Sequence, residues 1–398
     1  MTAKSTTIRR VLTAAVSIPA AFLFNISAYA QNIWHVDASV TQCGDGTMWS
    51  TAFRYLQDAL QNQQLQLDDQ IWVAAGTYFV DQDCANPDGT GDRVSTFRLV
   101  ERVWLLGGFN GTETLPQQRD PLTNITILSG ALDFGDCPPP CGVPGAGDCF
   151  TPNPTPGCEN GTCCCLVCDI NPLCCDIEEG SWDALCVEVA KGVCGGAYHV
   201  VTAGAEITDS FTTIIDGFTI RDGTAAGGGD PLQDQGGGML ITGEPSVIRC
   251  IFTNNLADGQ GGGVSIVGDG IEPQLINCEF RDNPGPQAGW IQHELTDGGA
   301  LASDNATPTL TNCLFAKNEA TRHGGAIYNL FGECPDGVEC GPLTLINCTL
   351  ADNVANNDDM FTGEGGGVFN AISATLVVDN CILWIFGIFG TVTYLCPG

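Results

Sequence analysis

Two short clusters carry side-chain types that could do chemistry. Asp358 and Asp359 form an acidic pair in a polar loop behind Asn356 and Asn357. Two carboxylates a few ångströms apart are what glycoside hydrolysis needs. Arg322 and His323 stand just ahead of a Gly-Gly corner, where a base beside a cation would suit proton abstraction in a lyase. A solvated loop is the favoured reading of the acidic pair. The other histidines, His35, His199 and His293, are scattered. Gly229-Asp230-Pro231 and Gly268-Asp269-Gly270 are acidic loops in which Asp230 and Asp269 could hold calcium, but they lack the regular nonapeptide spacing of calcium-binding repeats. No other cofactor is expected. Cys165-x2-Cys168 has the spacing of a zinc pair. No nucleophile elbow, phosphate loop or metalloprotease motif is present.

The elements that would position these groups repeat. One phrase is an apolar strand ending in Cys-x-Phe or Cys-x-Leu with Asn residues around it. It runs through Cys250, Cys278, Cys313, Cys348 and Cys381. The other is a Gly-Gly pair before a short apolar strand, at Gly237-Gly238, Gly262-Gly263, Gly298-Gly299, Gly324-Gly325 and Gly366-Gly367. Their alternation predicts a solenoid of short strands and sharp corners. Alternating residues point inward and stack on their equivalents one coil away. Gly supplies left-handed corners, and Asn can hydrogen-bond backbone there and form a ladder. The five ladder cysteines read as small buried hydrophobes rather than ligands, since no His or carboxylate shares their phase.

Lys4, Arg9 and Arg10 precede an apolar run from 11 to 26, and Ala28-Tyr29-Ala30 offers the small-x-small pattern of a cleavage site. Residues 1–30 therefore read as a signal peptide, and no later segment is long and apolar enough to span a bilayer. The whole chain carries 14 Lys+Arg against 46 Asp+Glu, a formal charge of −32. That balance excludes nucleic acid and anionic lipid as partners. With 51 Gly recurring at turns, it suits a solvated extracellular surface.

Segment 31–136 reads as the cap and first coils. Ile33 to Asp37 reads as a strand, and Trp49 to Leu60 as one amphipathic helix carrying Trp49, Phe53, Leu56 and Leu60 at helical spacing. That helix would cover the open end of the solenoid, where strand edges are otherwise bare. Segment 137–196 is a cysteine-rich insertion with more than half of the 22 Cys: Cys137, Cys141, Cys149, Cys158, Cys163, Cys164, Cys165, Cys168, Cys174, Cys175, Cys186 and Cys194. In an exported chain an even count reads as disulfides stapling a module too small for a core of its own, with a zinc or iron–sulfur site as the rival. Ser181 would cap a helix with Trp182, Leu185 and Val189 on one face. Cys334 with Cys340, and Cys43 with Cys84, are further pairing candidates. The repeat body fills 197–398 and shows no C-terminal cap.

Val36-Asp37-Ala38-Ser39, Trp72-Val73-Ala74-Ala75-Gly76-Thr77-Tyr78 and Gly107-Gly108-Phe109-Asn110-Gly111-Thr112 resemble the N-terminal part of secreted bacterial right-handed parallel β-helix proteins. The Gly-Gly and Asn-Cys-x-Phe-x-x-Asn phrases resemble the repeats of polymorphic outer membrane proteins. The resemblance implies an all-β, pectate-lyase-like solenoid. The scarcity of Lys and Arg in the repeat body argues against a lyase acting on uronates. The expected function is a secreted or cell-surface, non-catalytic adhesion protein that binds an extracellular glycan or a surface protein. A polysaccharide lyase or glycoside hydrolase, and a structural component of the cell envelope, are the alternatives.

Overall fold

The computed structural model describes residues 31–395, apart from 133–139, 144, 148, 150–151, 160–162, 165–166, 169–170, 178–179, 194–195, 209–211, 227–229, 286–295, 332–340, 356–364, 372–373, 384–387 and 390. The leader segment, Asp358, Asp359, Cys137, Cys165, Cys194, Cys334, Cys340 and His293 lie outside the described residues.

From Asn32 onward the chain coils through three parallel sheets. One has ten strands and two have eight. A typical coil contributes Ser246–Ile248 to the ten-stranded sheet and Ile251–Thr253 to the second sheet. The coil is completed by Val264–Val267 in the third. Within these three sheets, neighbouring strands are equivalent strands of successive coils. Val247 thus lies over Leu275, then Leu310, Leu345 and Val378. In the second sheet Phe252, Phe280, Phe315 and Leu350 follow one another. The three rings stack at centroid separations of 4.9 and 4.5 Å and are fully buried. The core is therefore a set of like-on-like columns, each side chain capped above and below by its own kind.

The corner between the first two sheets is one residue in the left-handed conformation. Arg249, Asn277, Asn312, Asn347 and Asn380 occupy it with φ between 49° and 56°. Asn is the side chain that tolerates this region best, which explains the recurring Asn before Cys. A second left-handed corner holds Asn254, Asp282, Lys317 and Asp352. Behind it runs a buried amide ladder. Asn255 donates to Oδ1 of Asn283 at 3.3 Å, Asn283 to Asn318 at 2.8 Å, and Asn318 to Asn353 at 2.8 Å. Each also donates to a backbone carbonyl of the preceding coil, for instance Asn283 to Phe252 at 3.0 Å. Full burial of Asn255, Asn283 and Asn318 costs little because their amides are satisfied. The Gly-Gly phrase makes the third corner. Gly324 has φ of +64°, and a Cβ there would lie 2.2 Å from the Ile327 carbonyl oxygen.

The N-terminal region departs from the expected single helix. Trp49–Thr51 is a 3₁₀ turn, and only Leu56–Leu60 is α-helical. Between them Phe53 forms a parallel bridge with Val36, accepting from Asp37 and donating to His35 through its backbone. Pairing with the edge strand Ile33–Val36 forces that stretch to extend, which overrides the helical spacing. The short helix still covers the end of the coil, with Leu56, Ala59 and Leu60 in the core.

The insertion leaves after Thr126–Ser129 and returns before Val201–Ala203. Its described disulfides are Cys141–Cys164, Cys149–Cys158, Cys168–Cys175 and Cys174–Cys186, and Cys163 is also disulfide-bonded. Cys43–Cys84 tethers the N-terminal turns. The helix Ala184–Val193 is capped by Asp183, whose Oδ1 accepts from the amides of Leu185 and Cys186 at 2.9 and 3.0 Å. Ser181 does not make that cap. Leu185 faces solvent, and the buried face is Trp182, Cys186, Val187 and Ala190. The helix begins two residues later than a Ser181 cap would require, which rotates its buried face.

Candidate functional site

Arg322 and His323 sit on the rim of the third sheet. Gln235, Gln260, Asp297 and His323 bridge one another through their backbones, one per coil. Asp297 is buried, and Arg322 donates to both of its carboxylate oxygens, through Nε at 2.9 Å. The His323 ring stacks on Phe369 at 4.3 Å, and Tyr328 lies beside the same ring at 5.4 Å. Arg322 is therefore committed to neutralising a buried carboxylate, and its own guanidinium is held cationic by that partner. These residues brace the rim and hold no paired carboxylates for hydrolysis.

Asp230 caps the 3₁₀ turn Pro231–Asp234, accepting from the amide of Leu232 at 3.0 Å. Asp269 lies in a turn facing Asp304, whose carboxyl pKa is raised by burial first and by Asp269 next. Among the described residues neither belongs to a cluster of three ligand atoms within metal-binding reach. The ladder cysteines Cys250, Cys278, Cys313 and Cys348 are buried free thiols, and Cys381 is half-buried and free. Each donates to a carbonyl of the preceding coil, as Cys278 does to Val247 at 3.3 Å. Burial pushes the Cys250 thiol up to about 12, so it stays protonated.

A buried acidic spot lies where the insertion rejoins the coils. Arg93 donates to the carbonyls of Gly196, Thr224 and Ala226 at 2.9–3.0 Å and lies 4.3 Å from the Tyr198 ring centroid. Nearby Asp258 is 7% exposed, and its Oδ1 has no hydrogen-bond partner among the described residues. Its carboxyl is pushed up to about 7 by burial and by Asp234, with Arg93 opposing.

Sequence reading missed a groove that the described residues form. It lies on the outer face of the ten-stranded sheet and encloses about 440 Å³. Trp104, Leu106, Ile214 and Ile248 form its apolar floor, with Arg119, Asp216 and Arg249 among them. Register places Trp104 beside Ile214 and Leu106 beside Asp216 on neighbouring strands. Arg249 reaches back one coil and grips Asp216 with both arms of its guanidinium, at 2.9 and 2.6 Å. Arg119 donates to the same carboxylate and to the Gly107 carbonyl at 2.9 Å. Arg119 and Asp216 are each 8% exposed at the side chain, whereas Arg249 is 48% exposed. Two guanidiniums share one carboxylate, so a net positive charge sits beside an indole in a strongly acidic protein. The signal was in the repeats: at the left-handed corner Arg249 stands where Asn277, Asn312, Asn347 and Asn380 stand in the other coils.

Comparison with known proteins bears on this scaffold. The profile of the right-handed β-helix region family matches residues 203–390. The chain is a right-handed parallel β-helix. A solved structure titled as the crystal structure of pectate lyase Pel9A aligns with 88% of this chain at 11% identity and a TM-score of 0.43. This chain spans 62% of the length of that structure. No curated protein matches the sequence. Among the described residues no helix is long and apolar enough to cross a membrane.

Proposed function

We propose that this β-helix is an exported, non-catalytic binding protein that takes acidic glycans along the outer face of its ten-stranded sheet. The observation that carries the reading is the Trp104 groove with the Arg119–Asp216–Arg249 group. An indole offers a flat apolar face to a sugar ring, and Arg249, which holds Asp216 through Nε and Nη2, keeps Nη1 to donate to a carboxylate or sulfate on that sugar. A binding role is supported over hydrolysis by the carboxylate inventory. Asp216 is the acid lining the groove, and both guanidiniums hold it, so it has no second carboxylate to work with. The disulfides support an oxidising compartment outside the cytoplasm.

The test is retention of the oxidised chain on immobilised polyuronate and on the matching neutral glycan. Binding to the polyuronate that weakens with salt, and falls about tenfold in Arg249→Gln, supports the reading. Equal retention of Arg249→Gln places the ligand elsewhere. Release of unsaturated or reducing sugars would turn the reading to an enzyme. No retention on any glycan would leave a structural role in the envelope.

A further inference from the structure

The cysteine-rich insertion packs two of its disulfides against each other. The Sγ atoms of Cys141, Cys164, Cys168 and Cys175 all lie within 4.8 Å of one another. They are joined as Cys141–Cys164 and Cys168–Cys175. The separations between the two pairs are 3.5 Å for Cys141 to Cys168 and 3.9 Å for Cys141 to Cys175. Cys164 lies 3.7 Å from both Cys168 and Cys175. In a tetrahedral zinc–thiolate site with bonds of about 2.3 Å, the sulfur–sulfur edge is about 3.8 Å. All four cross-pair edges are therefore already at the length a bound zinc ion sets.

Three further features fit. Cys164 and Cys168, each helical, are separated by three residues in the sequence, a spacing that structural zinc ligand pairs use. Cys141 and Cys164 are buried, and the fully buried Val167 and Trp182 belong to the same small core, so water is largely excluded. That core is otherwise mostly cysteine: Cys149, Cys158, Cys163, Cys174 and Cys186 complete it with Val187 and Ala190. Before its disulfides form, such a module has too little apolar surface to hold itself together. A neighbouring grouping, Cys149, Cys158 and Cys163, supplies three sulfurs and no fourth among the described residues. It makes the natural internal control.

We infer that the reduced insertion folds around one zinc ion held by the thiolates of Cys141, Cys164, Cys168 and Cys175, and that oxidation exchanges this ion for two disulfides. The exchange balances with a disulfide-class oxidant such as oxidised glutathione. Two oxidant molecules accept four electrons from the four thiolates and four protons from solvent. Cys141–Cys164 and Cys168–Cys175 form, four small thiols leave, and zinc departs as the dication. The zinc form is the folding template and the disulfide form is the finished one.

The experiment uses the full chain, reduced with a phosphine and incubated with zinc. Alkylation is followed residue by residue by mass spectrometry. Joint protection of Cys141, Cys164, Cys168 and Cys175, on the order of tenfold slower than without zinc, is the expected result. Protection of other cysteines, or of none, overturns the inference. Zinc content then drops by one ion per chain in Cys168→Ser/Cys175→Ser and stays unchanged in Cys149→Ser/Cys158→Ser; equal content in both variants also overturns it. Should the first variant fail to fold, cobalt loading of the unmodified chain decides. A tetrahedral, thiolate-rich visible spectrum that vanishes on adding oxidised glutathione supports the site, and a pale octahedral spectrum rules it out.

Discussion

The repeat body and the insertion use the same residue in opposite ways. In the coils Cys250, Cys278, Cys313 and Cys348 are buried free thiols that donate to carbonyls one coil back. In the insertion every described cysteine is disulfide-bonded. The difference follows from what surrounds the sulfur. A coil offers each thiol a packed column of aliphatic and aromatic neighbours, so packing alone holds the position. The insertion offers mostly other sulfurs, so covalent links replace the missing apolar surface. One chain thus shows both solutions to burying cysteine, chosen by how much hydrocarbon lies nearby.

Reduction separates the two regions most sharply. Each native disulfide is worth about 2–5 kcal/mol in a small module, so thiol reductant should unfold the insertion and leave the coils standing. Limited proteolysis should then cut within 141–193 while the β circular dichroism persists. Collapse of the coils under the same treatment would show that they depend on the insertion. Phe280→Ala should cost about 3–5 kcal/mol, because it empties the middle of a three-ring stack, and denaturant titration reads it as an earlier transition of the body.

A smaller effect comes from Asp258. Its folded carboxyl titrates near 7, above its unfolded value, so the folded state holds the proton more tightly. Stability therefore falls as pH rises from about 4 to about 7 and is level above that. Asp258→Asn should flatten this slope and raise stability at pH 8 by about 2 kcal/mol, as measured by thermal melts at several pH values. An unchanged slope would mean that a group other than Asp258 controls it. The smallest effect expected is Cys313→Ala, at about 1 kcal/mol, since it removes a sulfur from a packed column and breaks no covalent link. A cost as large as that of opening Cys174–Cys186 would erase the distinction between the two regions.

Much of the fold was legible because the repeated phrases state it. The corners at Asn277, Asn312 and Asn347 announce left-handed turns, and Phe252, Phe280 and Phe315 announce an inward column. The error at Trp49 to Leu60 came from long-range pairing, since only the edge strand at Val36 makes Phe53 extend. The helix cap fell on Asp183 rather than Ser181 because both suit the role and local sequence does not rank them. The groove escaped notice because Trp104 and Arg119, Asp216, and Arg249 come from three successive coils, and only the stacking of those coils brings them together. Arg249 was the readable clue: Arg in place of the corner Asn forgoes the residue best suited to that backbone, in return for the grip on Asp216. Arg322 and His323 drew attention by residue type, yet the coils use them as rim braces.

The neck of the insertion carries a consequence for how such chains diversify. Gly130 and Ala197, on either side of it, meet through a single backbone hydrogen bond of 2.8 Å, and Arg93 clasps the returning strand at Gly196. The solenoid passes this point without losing its stacking, so everything between the two residues is topologically a pendant. A lineage could exchange that pendant for another, or shed it, as one exchanges a charm on a bracelet whose links stay closed.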